Sequence, residues 1–151
     1  MIIFGMKQKL SEETYMNILF FLTPKENVAH IDDNDTLRQA LETMEHRGYA
    51  AIPILTQDGK YIGTVTEGDM LWYLKSHGFP SLRKMEKLSI MDVARRRDNE
   101  AVNISISMEG LVDKITNQNF VPVVDDNNVF IGIITRKDVI LYLSNKELVE
   151  G

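Results

Sequence analysis

Ile131-Gly132-Ile133-Ile134-Thr135-Arg136-Lys137-Asp138 is the stretch whose reading decides the fold. Apolar residues run up to Ile134, and Thr135 then stands where a helix N-cap belongs, so a buried strand turns at once into a helix. Asp138 follows Thr135 at the spacing of a capping box. Between them, in the first helical turn, stand two cations, Arg136 and Lys137. The helix macrodipole disfavours positive charge there by about 0.3–1 kcal/mol per group. An anion at the same turn reverses that balance, because exposed helix N–H groups and both cations then converge on it.

Outward from this stretch the chain repeats itself. Pro53, Ile62, Gly63, Thr66, Asp69, Tyr73 and Leu74 recur as Pro122, Ile131, Gly132, Thr135, Asp138, Tyr142 and Leu143, at one offset of 69 residues (122 − 53). Further upstream the offset is 71: Ile31 with Val102, Thr36 with Ser107, Leu37 with Met108, Leu41 with Val112, Met44 with Ile115. The two-residue slip falls between a helix and a strand, where Gly48-Tyr49-Ala50 has a shorter counterpart around Asn119-Phe120. Length changes belong in loops, which supports the alignment.

Each copy reads strand, helix, strand, strand, helix. Ser11 opens a first helix with Tyr15, Ile18, Leu19 and Leu22 on one face, and Pro24 stops it. Val28 to Ile31 is a short strand, and Asp32-Asp33-Asn34-Asp35 is a turn. Leu37, Ala40, Leu41 and Met44 lie at helical spacing, and Gly48 ends that helix. Ala51-Ile52-Pro53-Ile54-Leu55 is a strand in which Pro53 implies an edge or a bulge. Asp58-Gly59 is a hairpin turn, Tyr61 to Val65 the partner strand, and Thr66 opens a helix through Leu74. The expected layout is an N-terminal helix over 1–21, repeat 1 over 22–75, a linker over 76–89, repeat 2 over 90–144 and a tail over 145–151.

Composition bounds the function. The 151 residues are 44% hydrophobic and 26% charged, ordinary for a globular chain. The formal net charge of −5 supplies no overall positive field for nucleic acid or acidic membranes. With no cysteine there is no disulfide, thiolate metal site or cysteine nucleophile. Met1 to Met6 lacks the form of a signal peptide, and Ile18-Leu19-Phe20-Phe21-Leu22 is far shorter than the about 20 apolar residues of a membrane span. A cytoplasmic location is expected. His30, His46 and His77 have no metal-ligand spacing, and Asp32, Asp33 and Asp35 lack that of a calcium loop. No nucleophile–base–acid set and no glycine-rich phosphate loop points to catalysis.

Two copies of this unit, ending in Gly63-Thr64-Val65-Thr66-Glu67-Gly68-Asp69 and Gly132-Ile133-Ile134-Thr135-Arg136-Lys137-Asp138, resemble a tandem pair of CBS domains, a Bateman module. The resemblance runs from about Leu22 to Leu143. It implies an α/β (α+β) fold of two pseudo-symmetric β-α-β-β-α repeats packed as one module. In that family the cleft between repeats binds adenosyl ligands such as AMP, ATP or S-adenosylmethionine; the Thr contacts phosphate, the Asp contacts ribose hydroxyls, and the first strand lines the adenine pocket. Leu22 to Ile31, Gly48-Tyr49-Ala50-Ala51-Ile52-Pro53 and Thr135-Arg136-Lys137 are similar to the small stand-alone bacterial CBS pairs that bind cyclic di-AMP.

The resemblance therefore implies a ligand set of Lys25, Val28, Ala29, Tyr49, Ala50, Ile52, Pro53, Thr135, Arg136, Lys137 and Asp138, with Phe120, Val121, Pro122, Thr66 and Asp69 as candidates for a second site. Relatives often carry two arginines where Arg136-Lys137 stands, and lysine loses the bidentate fork. Glu67 and Gly68 put no cation beside Thr66, so one strong site on repeat 2 is expected. Plain capping explains both Thr/Asp pairs without a ligand, and Arg95-Arg96-Arg97 reads as a solvated linker or a partner contact. The expected function is non-enzymatic: a homodimeric sensor that binds cyclic di-AMP, needs no cofactor, and controls a protein target, by family analogy a (p)ppGpp synthetase/hydrolase. The alternatives are an AMP/ADP/ATP energy sensor and a ligand-free interaction scaffold.

Overall fold

The structure, a computed structural model, describes residues 17–96 and 98–150, with side chains described through residue 145. Most of the expected N-terminal helix, including its start at Ser11, lies outside those residues, as does Arg97. What is described of it is a single 3-10 turn, Ile18–Phe21, whose Asn17 side chain accepts the Leu19 N–H. The described chain forms two units, one of residues 17–28 with 99–150 and one of residues 29–98.

The second unit holds β2 (Ile31–Asp32), α1 (Leu37–Arg47), β3 (Ala51–Leu55), β4 (Tyr61–Thr66), α2 (Glu67–Ser76) and α3 (Leu82–Met85), in sheet order β2-β3-β4. α1 begins with a full capping box between Thr36 and Gln39 and ends on Gly48 in the left-handed region (φ 69°). Its inner face, Leu37, Ala40 and Met44, meets Ile52, Ile54 and Val65 of the sheet and Met70 of α2. The expected linker is part of this unit: Met85 joins the same core, followed by Ile90 and Val93.

The first unit holds β1 (Thr23–Pro24), β5 (Val102–Asn103), α4 (Met108–Ile115), β6 (Phe120–Val124), β7 (Phe130–Thr135) and α5 (Arg136–Glu150), in sheet order β1-β7-β6-β5. α5 runs on into the expected tail. Its core joins Ile18 and Phe21 to Leu111, Val112, Ile115, Val121, Val123, Ile134 and Val139.

Strand register reproduces both sequence offsets. Ile31 pairs with Ile54, and Val102 with Val123, a shift of 71 on one strand and 69 on the other. Ala51 pairs with Thr66, and Phe120 with Thr135. Each hairpin has its irregularity at the same place, Ile54/Leu55 and Val123/Val124. Gly59 (φ 80°) turns the first hairpin, and Asn128 (φ 63°) occupies the same position in the second. Asparagine is among the few residues that tolerate that region.

Pro53 sits in a central strand, beside the bulge rather than at an edge. It is tolerated because Thr64, opposite it on β4, sends its backbone N–H away to Asp98 Oδ1 (3.0 Å). On the other flank β2 reaches only Ile54 and Leu55, so neither neighbour needs a donor at Pro53.

Candidate functional site

The deciding stretch forms the β7–α5 junction. Thr135 ends β7 opposite Phe120, and its Oγ1 accepts the Asp138 N–H (3.1 Å). The Asp138 carboxylate is exposed and makes no hydrogen bond to a described residue, so only half of the expected capping box is closed. Arg136 is half-buried: its N–H donates to Asn119 O (2.9 Å) and its Nε to Ile115 O (2.6 Å). Lys137 is exposed. β1 runs antiparallel beside β7, and the following 3-10 turn, Lys25–Asn27, lies along the same strand. This brings Lys25, half-buried, and Val28, buried, into the unit that holds Thr135. Lys25, Arg136 and Lys137 have no carboxylate partner among the described residues. The junction thus gathers uncompensated positive charge at the start of a 15-residue helix.

Ala29, Tyr49, Ala50, Ile52 and Pro53 belong to the other unit. Tyr49 and Ala50 are exposed, and the Ala50 carbonyl accepts the Glu67 N–H (2.9 Å). Ala29 is half-buried, whereas Ile52 and Pro53 are buried and Ile52 belongs to the core. In the first unit Phe120 is half-buried, and Val121 and Pro122 are buried. Ile52 and Val121 are fully covered, main chain included.

Thr66 and Asp69 differ from Thr135 and Asp138. Here the capping box is complete: Thr66 Oγ1 accepts the Asp69 N–H and Asp69 Oδ2 accepts the Thr66 N–H (3.0 Å). The other carboxylate oxygen accepts the Arg96 N–H (3.2 Å), and Asp69 is only 4% exposed. Both oxygens are engaged inside the protein. The Arg96 guanidinium lies over the Trp72 ring, 5.3 Å from its centroid. Together with Tyr73, His77 and Asp92, these residues line a cavity of about 540 Å³.

The segment that delivers Arg96 is held by side chains. Asp98 Oδ1 accepts both the Thr64 N–H and Arg95 Nε (2.7 Å). Beneath it, Tyr61 and Thr64 hydroxyls are bonded at 2.7 Å, and burial pushes the Tyr61 phenol up to about 12, so it stays neutral. Arg95 through Asp98 stands at offset 71 from Pro24 through Asn27. Extending the repeat alignment seven residues upstream of Ile31 and Val102 is the signal that would have located this segment; read by charge alone, it is a solvated run.

The arrangement defines a class: a repeated α/β unit that places a threonine-capped helix N-terminus at a strand end, with Arg136 and Lys137 in the first turn of the repeat 2 helix. The CBS domain family matches residues 21–76 and 90–145, and the chain belongs to it. It is similar to cyclic di-AMP receptor B of Bacillus subtilis (strain 168), with 29% identity over 133 residues, 85% of this chain and 86% of that protein. Among solved structures it is similar to CbpB in complex with cyclic di-AMP, at TM-score 0.80 and 27% identity over 97% of this chain and 95% of that one. CbpB from Streptococcus agalactiae gives TM-score 0.75 and 28% identity, over 96% and 87%. No helix among the described residues is long and apolar enough to cross a membrane.

Proposed function

We propose that this CBS-pair protein is a non-enzymatic sensor that binds cyclic di-AMP and thereby changes its affinity for a protein target. One observation carries the reading. Among the described residues, the β7–α5 junction keeps Lys25, Arg136 and Lys137 without carboxylate partners and leaves the Asp138 carboxylate unused, whereas the equivalent Asp69 is engaged inside the fold. Two phosphates suit these cations, and Asp138 is an acceptor for sugar hydroxyls. Thr135 supplies the helix-terminal hydroxyl. The proposed base-contacting positions remain Val28, Ala29, Tyr49, Ala50, Ile52 and Pro53, as in the family. The similarity to a cyclic di-AMP receptor and to a complex holding that ligand supports the choice of nucleotide.

The target, a (p)ppGpp synthetase/hydrolase by family analogy, and the homodimer are part of the same proposal. The test is calorimetric titration with cyclic di-AMP, AMP and ATP at one ionic strength. The expected result is tight cyclic di-AMP binding near one site per repeat 2 junction, with weak AMP binding. Heat with AMP or ATP alone makes the protein an energy-charge sensor. Silence with all three makes it a ligand-free scaffold.

A further inference from the structure

The helices that precede the central strands end differently in the two repeats. α1 closes on Gly48, whose N–H returns to Met44 O (2.8 Å). α4 has no glycine there. It stops at Ile115, where offset 71 from Arg47 would carry it to residue 118, and Thr116 follows in ordinary helical conformation (φ −68°). Thr116 N–H returns to Val112 O (3.2 Å), and Asn117 and Gln118 N–H to Lys114 O (3.1 Å each). The Ile115 carbonyl is taken instead by Arg136 Nε (2.6 Å). The Arg136 backbone N–H also holds Asn119 O. One residue thus closes both ends of the segment 115–119. In repeat 1 its counterpart is Glu67, which keeps the backbone bond to Ala50 O and has no side chain able to cap a carbonyl.

We propose that Arg136 is a relay. Its Nε caps α4 while its terminal nitrogens bind the anion, so occupancy of the site is felt at the C-terminus of α4 and the loop after it. This rests on the nucleotide reading above. A guanidinium is a rigid plane of five donors; Nε on a carbonyl leaves four for phosphate. An anion on those four fixes the orientation of the plane and so holds Nε on the Ile115 carbonyl for more of the time. α4 is a helix of eight residues, too short to hold itself without tertiary contacts, so its last turn is where such a change registers. Asp113, Thr116 and Asn117 are exposed there and present the change to a partner. By linkage, a partner that grips the ordered end of α4 tightens nucleotide binding by the same factor.

The test is hydrogen–deuterium exchange over residues 112–119 with and without saturating cyclic di-AMP, in the wild type and Arg136→Lys, with binding followed in parallel by calorimetry. The wild type should exchange severalfold more slowly when liganded. Arg136→Lys keeps a charge for phosphate but cannot cap and bind at once; it should bind more weakly and show no ligand-dependent slowing at saturation. Wild-type binding without slowing overturns the relay and leaves the nucleotide reading standing. Slowing that survives in Arg136→Lys comes from direct ligand contact and also overturns the relay. No binding in the wild type overturns both.

Discussion

Two glycines show how differently single positions are constrained. Gly132 has φ 156°, and a Cβ there would collide with the Thr23 carbonyl oxygen, a backbone atom fixed by the β1–β7 pairing. Gly48 also has positive φ, 69°, but a Cβ there meets nothing within 4 Å. Gly48→Ala should therefore cost only the left-handed strain, about 1 kcal/mol. Gly132→Ala must also push β1 off β7 and should cost at least about 3 kcal/mol in urea unfolding. Equal losses for the two would mean that β1 is not held where the structure places it. Since β1 leads into Lys25 and Val28, Gly132→Ala should also weaken nucleotide binding, which Gly48→Ala should not. The repeat showed Gly132 to be significant, through its match with Gly63. Why it must be glycine was not legible, because the reason is a strand more than a hundred residues earlier in the chain.

At the scale of elements, the caps, hairpins and slip between offsets were legible because each is written locally. Thr36, Thr66 and Ser107 all cap helices, as the alignment implied. What local reading could not supply is the segment 95–98, whose bonds run to strand β4 and helix α2. Asp98 is the test. Asp98→Ala leaves the buried Thr64 N–H without its acceptor and releases Arg95, a loss of about 1–3 kcal/mol. Asp98→Asn retains an acceptor oxygen and gives up only a partly exposed ion pair, worth about 0–1 kcal/mol. Chemical denaturation should rank alanine well below asparagine. If the two variants match, the ion pair rather than the Thr64 contact holds the segment. Glu67 and Gly68 already separated Thr66/Asp69 from Thr135/Asp138 in sequence; what stayed hidden is Arg96, which approaches Asp69 through its main chain and leaves no mark in a motif.

At the scale of the whole molecule, the repeat marks the surface as well as the core. Leu71 and Trp72 on α2 are 48% and 43% exposed, and their counterparts at offset 69, Ile140 and Leu141 on α5, are 44% and 48% exposed. Leu71 continues into an apolar groove of about 560 Å³ lined by Leu41, Met44, Met70 and Leu74. Large apolar side chains at matched positions of both units are the feature expected if the proposed homodimer uses its helices, because a two-fold interface buries the same patch on each copy. Fully burying one such side chain contributes about 1.5–3 kcal/mol. More than half of each is already covered in the single chain, so eight in a dimer add about 6–12 kcal/mol, of the same order as an association cost of about 4–15 kcal/mol. Removing Leu71 and Ile140 halves that gain and buries charge. Light scattering should accordingly find the wild type at twice the 17.3 kDa chain mass, and Leu71→Glu/Ile140→Glu at the chain mass with unchanged helix content by circular dichroism. A dimer that survives the double substitution must be held by another face. A monomeric wild type would leave these four side chains for the protein target, and the nucleotide would then act on one chain alone.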